Sequence, residues 1–241
     1  MRHHGGDAGG TGLGRFAADH PDRFFDVGIA EGCAVSMAAG MAKQGVIPVF
    51  AVYSTFLQRS YDMLLHDTAL DHLHVVLGVD RAGLVGEDGE THHGLFDVAF
   101  LSTVPGMTVL VPASFAELKA MLIRAVEELD GPVAVRYPRG SQGEYSADNS
   151  RGNSVILRTG KDITLTGYGV EINELLLAAG LLAERGIEAE VIKLNQIAPL
   201  DAAPVVKSVR RTGAMLSAEE CAAMGCVGSQ LLAALEAAGV E

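Results

Sequence analysis

Tryptophan is absent from this sequence, and aromatic residues make up only 5% of it. Ala, Gly, Val and Leu carry the bulk instead, a composition typical of closely packed α/β proteins. The three cysteines, Cys33, Cys221 and Cys226, are too few and too scattered for a disulfide framework or a four-ligand zinc site. A reducing cytoplasm is the expected setting. Basic residues are in deficit: 18 Lys and Arg face 30 Asp and Glu, a net charge of −12. That balance argues against nonspecific nucleic-acid or anionic-membrane binding, yet leaves room for a local basic pocket that takes a phosphorylated small molecule. No apolar run reaches the length of a membrane span. The start, Met1-Arg2-His3-His4-Gly5-Gly6, lacks the apolar segment of a signal peptide and reads as a ragged or recombinant beginning.

What is present is a chain of 241 residues, 49% hydrophobic and 20% charged, enough for one large domain or two modest ones with a sizeable core. Short apolar runs alternate with helical ones. Strands are expected at 24–27, 47–52, 73–79, 108–111 and 132–137. Helices are expected at 31–43, 55–70, 96–103 and 115–128, and Ser114 with Glu117 has capping-box spacing. Continuous apolar strands separated by helices indicate a parallel sheet covered on both faces. Residues 141–154 are polar and rich in Gly, Ser and Asn, and read as a linker. A second, smaller unit follows, with strands at 162–166, 188–194 and 214–217 and helices at 171–185 and 229–238. The expected organisation is a first α/β domain over 1–140, a linker over 141–154 and a second α/β domain over 155–241. There is no internal repeat.

Four blocks carry chemistry. In Gly28-Ile29-Ala30-Glu31, a carboxylate stands at a strand-to-helix turn among small residues. Partial desolvation there would raise its pKa, whereas an exposed glutamate in the first turn would only complement the helix dipole. The second block is Tyr53-Ser54-Thr55-Phe56-Leu57-Gln58-Arg59. The third is Asp80-Arg81-Ala82-Gly83-Leu84-Val85-Gly86, followed by Asp88-Gly89 and Thr91-His92. The fourth is Ala134-Val135-Arg136-Tyr137-Pro138-Arg139-Gly140. Guanidinium groups suit phosphate because their planar donors bind two oxygens at once. Arg81 and Arg139, at the ends of neighbouring strands, could converge at the carboxyl edge of a parallel sheet. His93 beside His92 is expected to be a surface residue. His66, His72 and His74 show no metal-ligand pattern. Cys221 and Cys226 are expected to pack in the second domain.

Together the four blocks resemble the 1-deoxy-D-xylulose-5-phosphate synthase branch of the transketolase superfamily. The resemblance covers nearly the whole chain and is densest over 24–140. It implies two parallel-sheet α/β domains, a pyrimidine-binding domain and an incomplete transketolase C-terminal domain. It implies that Glu31 hydrogen-bonds the N1' nitrogen of thiamine diphosphate and so promotes loss of the C2 proton, with Ile29 beside it and Phe56 stacked on the pyrimidine. It places Tyr53 and Arg59 in the substrate pocket, Arg81 and Arg139 on the phosphate of D-glyceraldehyde 3-phosphate, and Asp88 and His92 as the polar pair that orients the bound intermediate. Arg136 is expected to serve structure at a strand end. Gly225-Cys226-Val227-Gly228 resembles a degraded Gly-Gly-x-Gly helix start. Glu87-Asp88-Gly89 is not the family's Gly-Asp-Gly magnesium motif.

Two departures stand out. Cys33 occupies the place where the family has histidine, two positions after the activating glutamate, and a thiol is a weaker hydrogen-bond partner. The family's N-terminal domain, which binds the diphosphate through Mg2+, is not in this sequence, and the end of the C-terminal domain also looks cut. The implied reaction joins pyruvate, after decarboxylation, to glyceraldehyde 3-phosphate, and its product feeds isoprenoid, thiamine and pyridoxal phosphate synthesis. The implied state is a homodimer, or a pairing with a chain that carries the N-terminal domain, with no nucleic-acid or membrane partner and little activity from this half alone. The alternatives are a non-catalytic dimerisation module and a subunit of another two-component thiamine-dependent transketolase.

Overall fold

The computed structural model describes residues 12–240; the ragged start assigned to Met1–Gly6 lies outside them. The first unit runs α1 (Gly14–Asp19), α2 (Glu31–Lys43), β1 (Val49–Tyr53), α3 (Ser54–Leu57), α4 (Tyr61–Met63), β2 (Val76–Asp80), α5 (Asp97–Ser102), β3 (Thr108–Leu110), α6 (Phe115–Glu127) and β4 (Val133–Arg136). The second runs β5 (Ser154–Arg158), β6 (Ile163–Tyr168), α7 (Glu171–Ala183), β7 (Ala189–Leu194), β8 (Gln196–Ala198), α8 (Ala203–Thr212), β9 (Met215–Ala218) and α9 (Val227–Ala237).

The first sheet has the order β1-β2-β4-β3-β8 and is parallel except for β8, which runs antiparallel to β3. The second has the order β5-β7-β6-β9, parallel except for β5. The interior strand β2 is buried throughout, as its unbroken Val-Leu-Gly-Val run requires of a sheet covered on both faces. In α6, the side chains of Glu117, Met121 and Ala125 recur every four residues and turn inward. Met121 and Ala125 pack on Val76, Leu110, Val133 and Val135.

Several expectations need correction. Residues 24–27 form no strand: they have β propensity but no ladder partner, and Phe25 is exposed. The helix expected over 55–70 is broken into α3, a 3-10 turn at Gln58–Ser60, α4 and a π-helical turn at Leu64–Ala69. Thr68 contributes to that last irregularity by donating its hydroxyl to the Leu64 carbonyl at 2.5 Å. Strands β5 and β8 and helix α8 were not expected. β8 matters most, because it leaves the second unit to pair with β3 of the first.

That crossing joins the two units in one core. Leu77, Val79 and Val109 share a buried cluster with Ile192, Ile197, Val205 and Leu231. The polar stretch before β5 is also held firmly. Ser114 caps α6 by accepting the Glu117 N–H at 3.1 Å, and it donates its hydroxyl to the Ala147 carbonyl at 2.8 Å. The Glu117 carboxylate takes the Ala113 N–H at 2.8 Å, the Tyr145 hydroxyl at 2.8 Å and the Asn149 N–H at 3.1 Å. It also pairs with Lys193 at 3.0 Å, both side chains being fully buried.

Candidate active site

The turn into α2 positions Glu31. Gly28 adopts φ +63, and its N–H is taken by the Asp26 carboxylate at 2.9 Å, so the chain folds back before the helix begins. Glu31 is the first residue of α2 and is only 3% exposed. The bland account of an exposed first-turn glutamate therefore does not hold. Its two carboxylate oxygens lie 3.2 and 3.3 Å from Arg59 Nη1.

From Arg59 a continuous chain of contacts crosses the carboxyl ends of β1, β2 and β4. The Arg59 guanidinium sits 5.1 Å from the centre of the Phe56 ring. Phe56 stacks on Tyr53 at 5.8 Å and meets His92 edge-on at 5.3 Å. Arg81 lies 3.7 Å over the Tyr53 ring. Arg81 then donates Nε to Asp88 at 2.9 Å and Nη1 to Asp80 at 3.0 Å. Arg139 donates to the other oxygen of Asp88 and, at 2.8 Å, to Glu87. Tyr53 and Asp80 end neighbouring strands, and Arg81 and Arg139 follow strand ends, the edge at which ligands bind in parallel α/β sheets.

The expected site residues other than Ile29 are thus linked along one edge of the first sheet; Ile29 stands two residues before Glu31 and is 62% exposed. Asp88 bridges the two arginines in this structure, and His92 sits against the aromatic pair rather than on the surface. His93 corrects the expectation made for it. It is half-buried, and its Nδ1 accepts the Val85 N–H at 2.9 Å, fixing the loop from within. Asp80 was missed, although an aspartate directly before Arg81 at a strand end was the available signal. Cys33 is exposed.

Asp80 and Asp88 flank Arg81 and are driven apart in acidity. Burial pushes Asp80 above the ordinary carboxylate range and outweighs the neighbouring Arg81. Partial burial also pushes Asp88 upward, but hydrogen bonds from Arg81 and Arg139 more than offset it and hold it below that range. Because the folded pKa of Asp88 lies below its unfolded value, its ion pairs stabilise the fold above about pH 4. That contribution is lost as pH falls through the depressed folded value. In an acid titration followed by carboxyl-carbon NMR shifts, Asp80 is expected to take a proton first. Asp88 should stay ionised below about pH 4. The opposite order would refute the bridging geometry.

A buried carboxylate joined through Arg59 to a flat aromatic ring fits a heteroaromatic cofactor whose ring nitrogen needs a hydrogen-bond partner. Phe25, Ile29, Leu84 and Phe96, along the segments that border this edge, are 57, 62, 56 and 58% exposed. An apolar rim of this kind suits coverage by another surface. Among the described residues, no group of three or more His, Cys, Asp or Glu is placed to hold a metal ion. Among the same described residues, no helix is long and apolar enough to cross a membrane.

Comparison with known proteins yields a consistent set. A family model described as "Transketolase, pyrimidine binding domain" matches residues 2–143, and one described as "Transketolase, C-terminal domain" matches 152–241. The chain is 48% identical over 236 residues to the 1-deoxy-D-xylulose-5-phosphate synthase of Thermomicrobium roseum, covering 96% of this chain and 38% of that protein. It is 47% identical to a second such synthase, from Geobacter sulfurreducens, covering 96% and 37%. The chain therefore spans little more than a third of the length of these relatives. Among solved structures it is similar to a "Split gene transketolase, inactive beta4 tetramer", with a TM-score of 0.80 and 31% identity over 95% of this chain and 76% of that one. A Pichia stipitis transketolase, at TM-score 0.70 and 19% identity, covering 82% and 31%, shares the fold.

Proposed function

Given that this chain belongs to the transketolase family, we propose that it is the cofactor-activating portion of a 1-deoxy-D-xylulose-5-phosphate synthase, acting on pyruvate and D-glyceraldehyde 3-phosphate. The observation that carries this reading is the unbroken contact chain from Glu31 through Arg59, Phe56, Tyr53 and Arg81 to Asp88 and Arg139. It brings the Glu31 carboxylate and the Arg81 and Arg139 guanidiniums to one sheet edge, an arrangement that supports roles in cofactor activation and phosphate binding. Thiamine diphosphate, when bound, supplies the electron sink for loss of carbon dioxide from pyruvate and for joining the two-carbon remainder to the aldehyde.

The residues divide the remaining work. Glu31 gives up its pairing with Arg59 to hold the ring nitrogen of the cofactor, and its burial strengthens that hydrogen bond. Phe56 and Ile29 support the ring. Arg59 and Tyr53 border the place of the keto acid. Arg81 and Arg139 take the acceptor's phosphate, exchanging part of their hold on Asp88 for it. His92, next to the aromatic pair, and Asp88 orient the reacting groups. Residues outside this sequence supply the diphosphate and Mg2+ contacts, on a second polypeptide or elsewhere in a longer one, and the working unit is a dimer.

The test is reconstitution. Mixed with a separately expressed N-terminal synthase domain, pyruvate, glyceraldehyde 3-phosphate, thiamine diphosphate and Mg2+, the chain should form deoxyxylulose phosphate. Alone, its melting temperature should rise little with the cofactor, because ligand stabilisation requires binding that is tight relative to the ligand supplied. Turnover with a ketose phosphate donor in place of pyruvate would instead identify another two-component transketolase. A second reading, a non-catalytic association module, is favoured by Cys33 and by the similarity to a chain described as an inactive tetramer. Reconstituted activity that depends on Glu31 would eliminate it.

A further inference from the structure

The loop that carries Asp88 and His92 is closed at its neck, two residues after Arg81. Gly83 and Gly94 exchange two backbone hydrogen bonds of 2.9 and 2.8 Å. Gly83 adopts φ +80, and a Cβ there would collide with the Glu220 side chain; glycine thus serves both the turn and the close approach. Glu220 belongs to the second unit. Its neighbour Ala222 donates its N–H to the Leu95 carbonyl at 2.7 Å, just past the neck.

Arg136, at the end of β4, is 6% exposed and reaches both sides of this junction. Its Nε donates to Asp97 at 2.7 Å, and its Nη2 donates to the Glu220 carbonyl at 2.9 Å and to the Gly94 carbonyl at 3.5 Å. The guanidinium also lies 5.6 Å from the Tyr168 ring centre. Tyr168 donates its hydroxyl at 2.9 Å to Glu219, which in turn accepts the Val227 and Gly228 N–H groups at the start of α9 at 3.0 and 2.7 Å. A planar fork with donors on several edges is needed to serve Asp97 and two carbonyls at once, which an ammonium cannot do in the same geometry.

We infer that Arg136 is a positioning residue: it clamps the neck of the 83–94 loop to residues 219–222 of the second unit and so sets where Asp88, His92 and the adjoining Arg81 stand. What that loop does to substrate rests on the proposed function. Its placement does not, and it can be measured on the full chain without activity. In hydrogen–deuterium exchange, Arg136→Lys should speed exchange of the Gly83 and Gly94 amides by roughly tenfold, the factor expected from losing one charge-assisted hydrogen bond. Exchange in the buried strands β2 and β7 should stay unchanged. Tyr168→Phe removes the hydroxyl link to Glu219 while keeping the ring against Arg136, and should speed the same two amides by a smaller factor, serving if the arginine variant folds poorly. In the reconstituted enzyme, Arg136→Lys should raise the KM for the phosphorylated acceptor more than that for pyruvate, and should also lower kcat, because Asp88 and His92 shift with the loop. Exchange that rises equally across the whole chain, or stays unaltered at the neck in both variants, would overturn the inference. Localised exchange with no turnover under any condition would retain the clamp and refute the functional reading.

Discussion

Glu31→Gln is expected to lower turnover of the reconstituted enzyme by roughly 10²–10⁴-fold, the range of a positioned proton-transfer group. Glutamine has nearly the same shape, so the buried site is not emptied. What is lost is the negative charge that a ring nitrogen would meet. The fold should survive. Arg59, the ion-pair partner, has a side chain 54% exposed and can turn to water, and half-exposed pairs contribute only about 0–1 kcal/mol. The variant should therefore melt within a few degrees of the parent. A variant that retains more than half of the parent turnover would remove Glu31 from the chemistry. One that fails to fold would show that the Arg59 pairing is structural.

The second large effect concerns stability. Lys193→Met should destabilise the chain by about 3 kcal/mol, at the lower end of the range for breaking a buried pair. Lys193 and Glu117 are both fully buried at 3.0 Å. Burial pulls the Lys193 ammonium below the usual lysine range, against the opposing pull of Glu117. Removing the ammonium strands a carboxylate in the interior, although Ala113, Tyr145 and Asn149 still donate to it. For a chain of this size the melting temperature should fall by about 6–12 °C. Adding Glu117→Gln removes the stranded charge, so the double variant should melt above Lys193→Met, a coupling that a thermal-melt cycle measures directly. Unchanged melting of the single variant would mean that water reaches the pair.

These two sites differ in how legible they were. Glu31, Phe56, Arg81 and Arg139 could be nominated because each sits inside a run of residues whose order carries the signal. Their mutual contacts were not. The Glu31–Arg59 pairing joins residues 28 positions apart, and the Asp88–Arg139 pairing joins residues 51 apart. No local pattern encodes such pairs. Lys193 gave no signal at all, because a lysine in an apolar strand is identifiable as a buried ion-pair partner only when its carboxylate is known.

The same reasoning explains the errors in the fold. The three residues of β8 are too short to show a period, and the strand exists because β3 offers an edge. Phe24 to Val27 has strand composition but no partner to pair with. Helix α8 was legible and was overlooked: Pro204 stands in its first turn, and Gly213 closes it in the left-handed conformation. The broken helix after β1 follows from tertiary packing that local propensity does not contain.

The central claim is that Glu31 activates a thiamine cofactor held against Phe56. It is tested most directly by the rate at which the C2 proton of thiamine diphosphate exchanges with deuterium oxide. The rate would be read by NMR after acid quenching, with the chain and the N-terminal domain mixed. Exchange with the parent chain should run well above that of the free cofactor and fall by roughly a hundredfold or more with Glu31→Gln. Equal exchange with the two chains would contradict that claim.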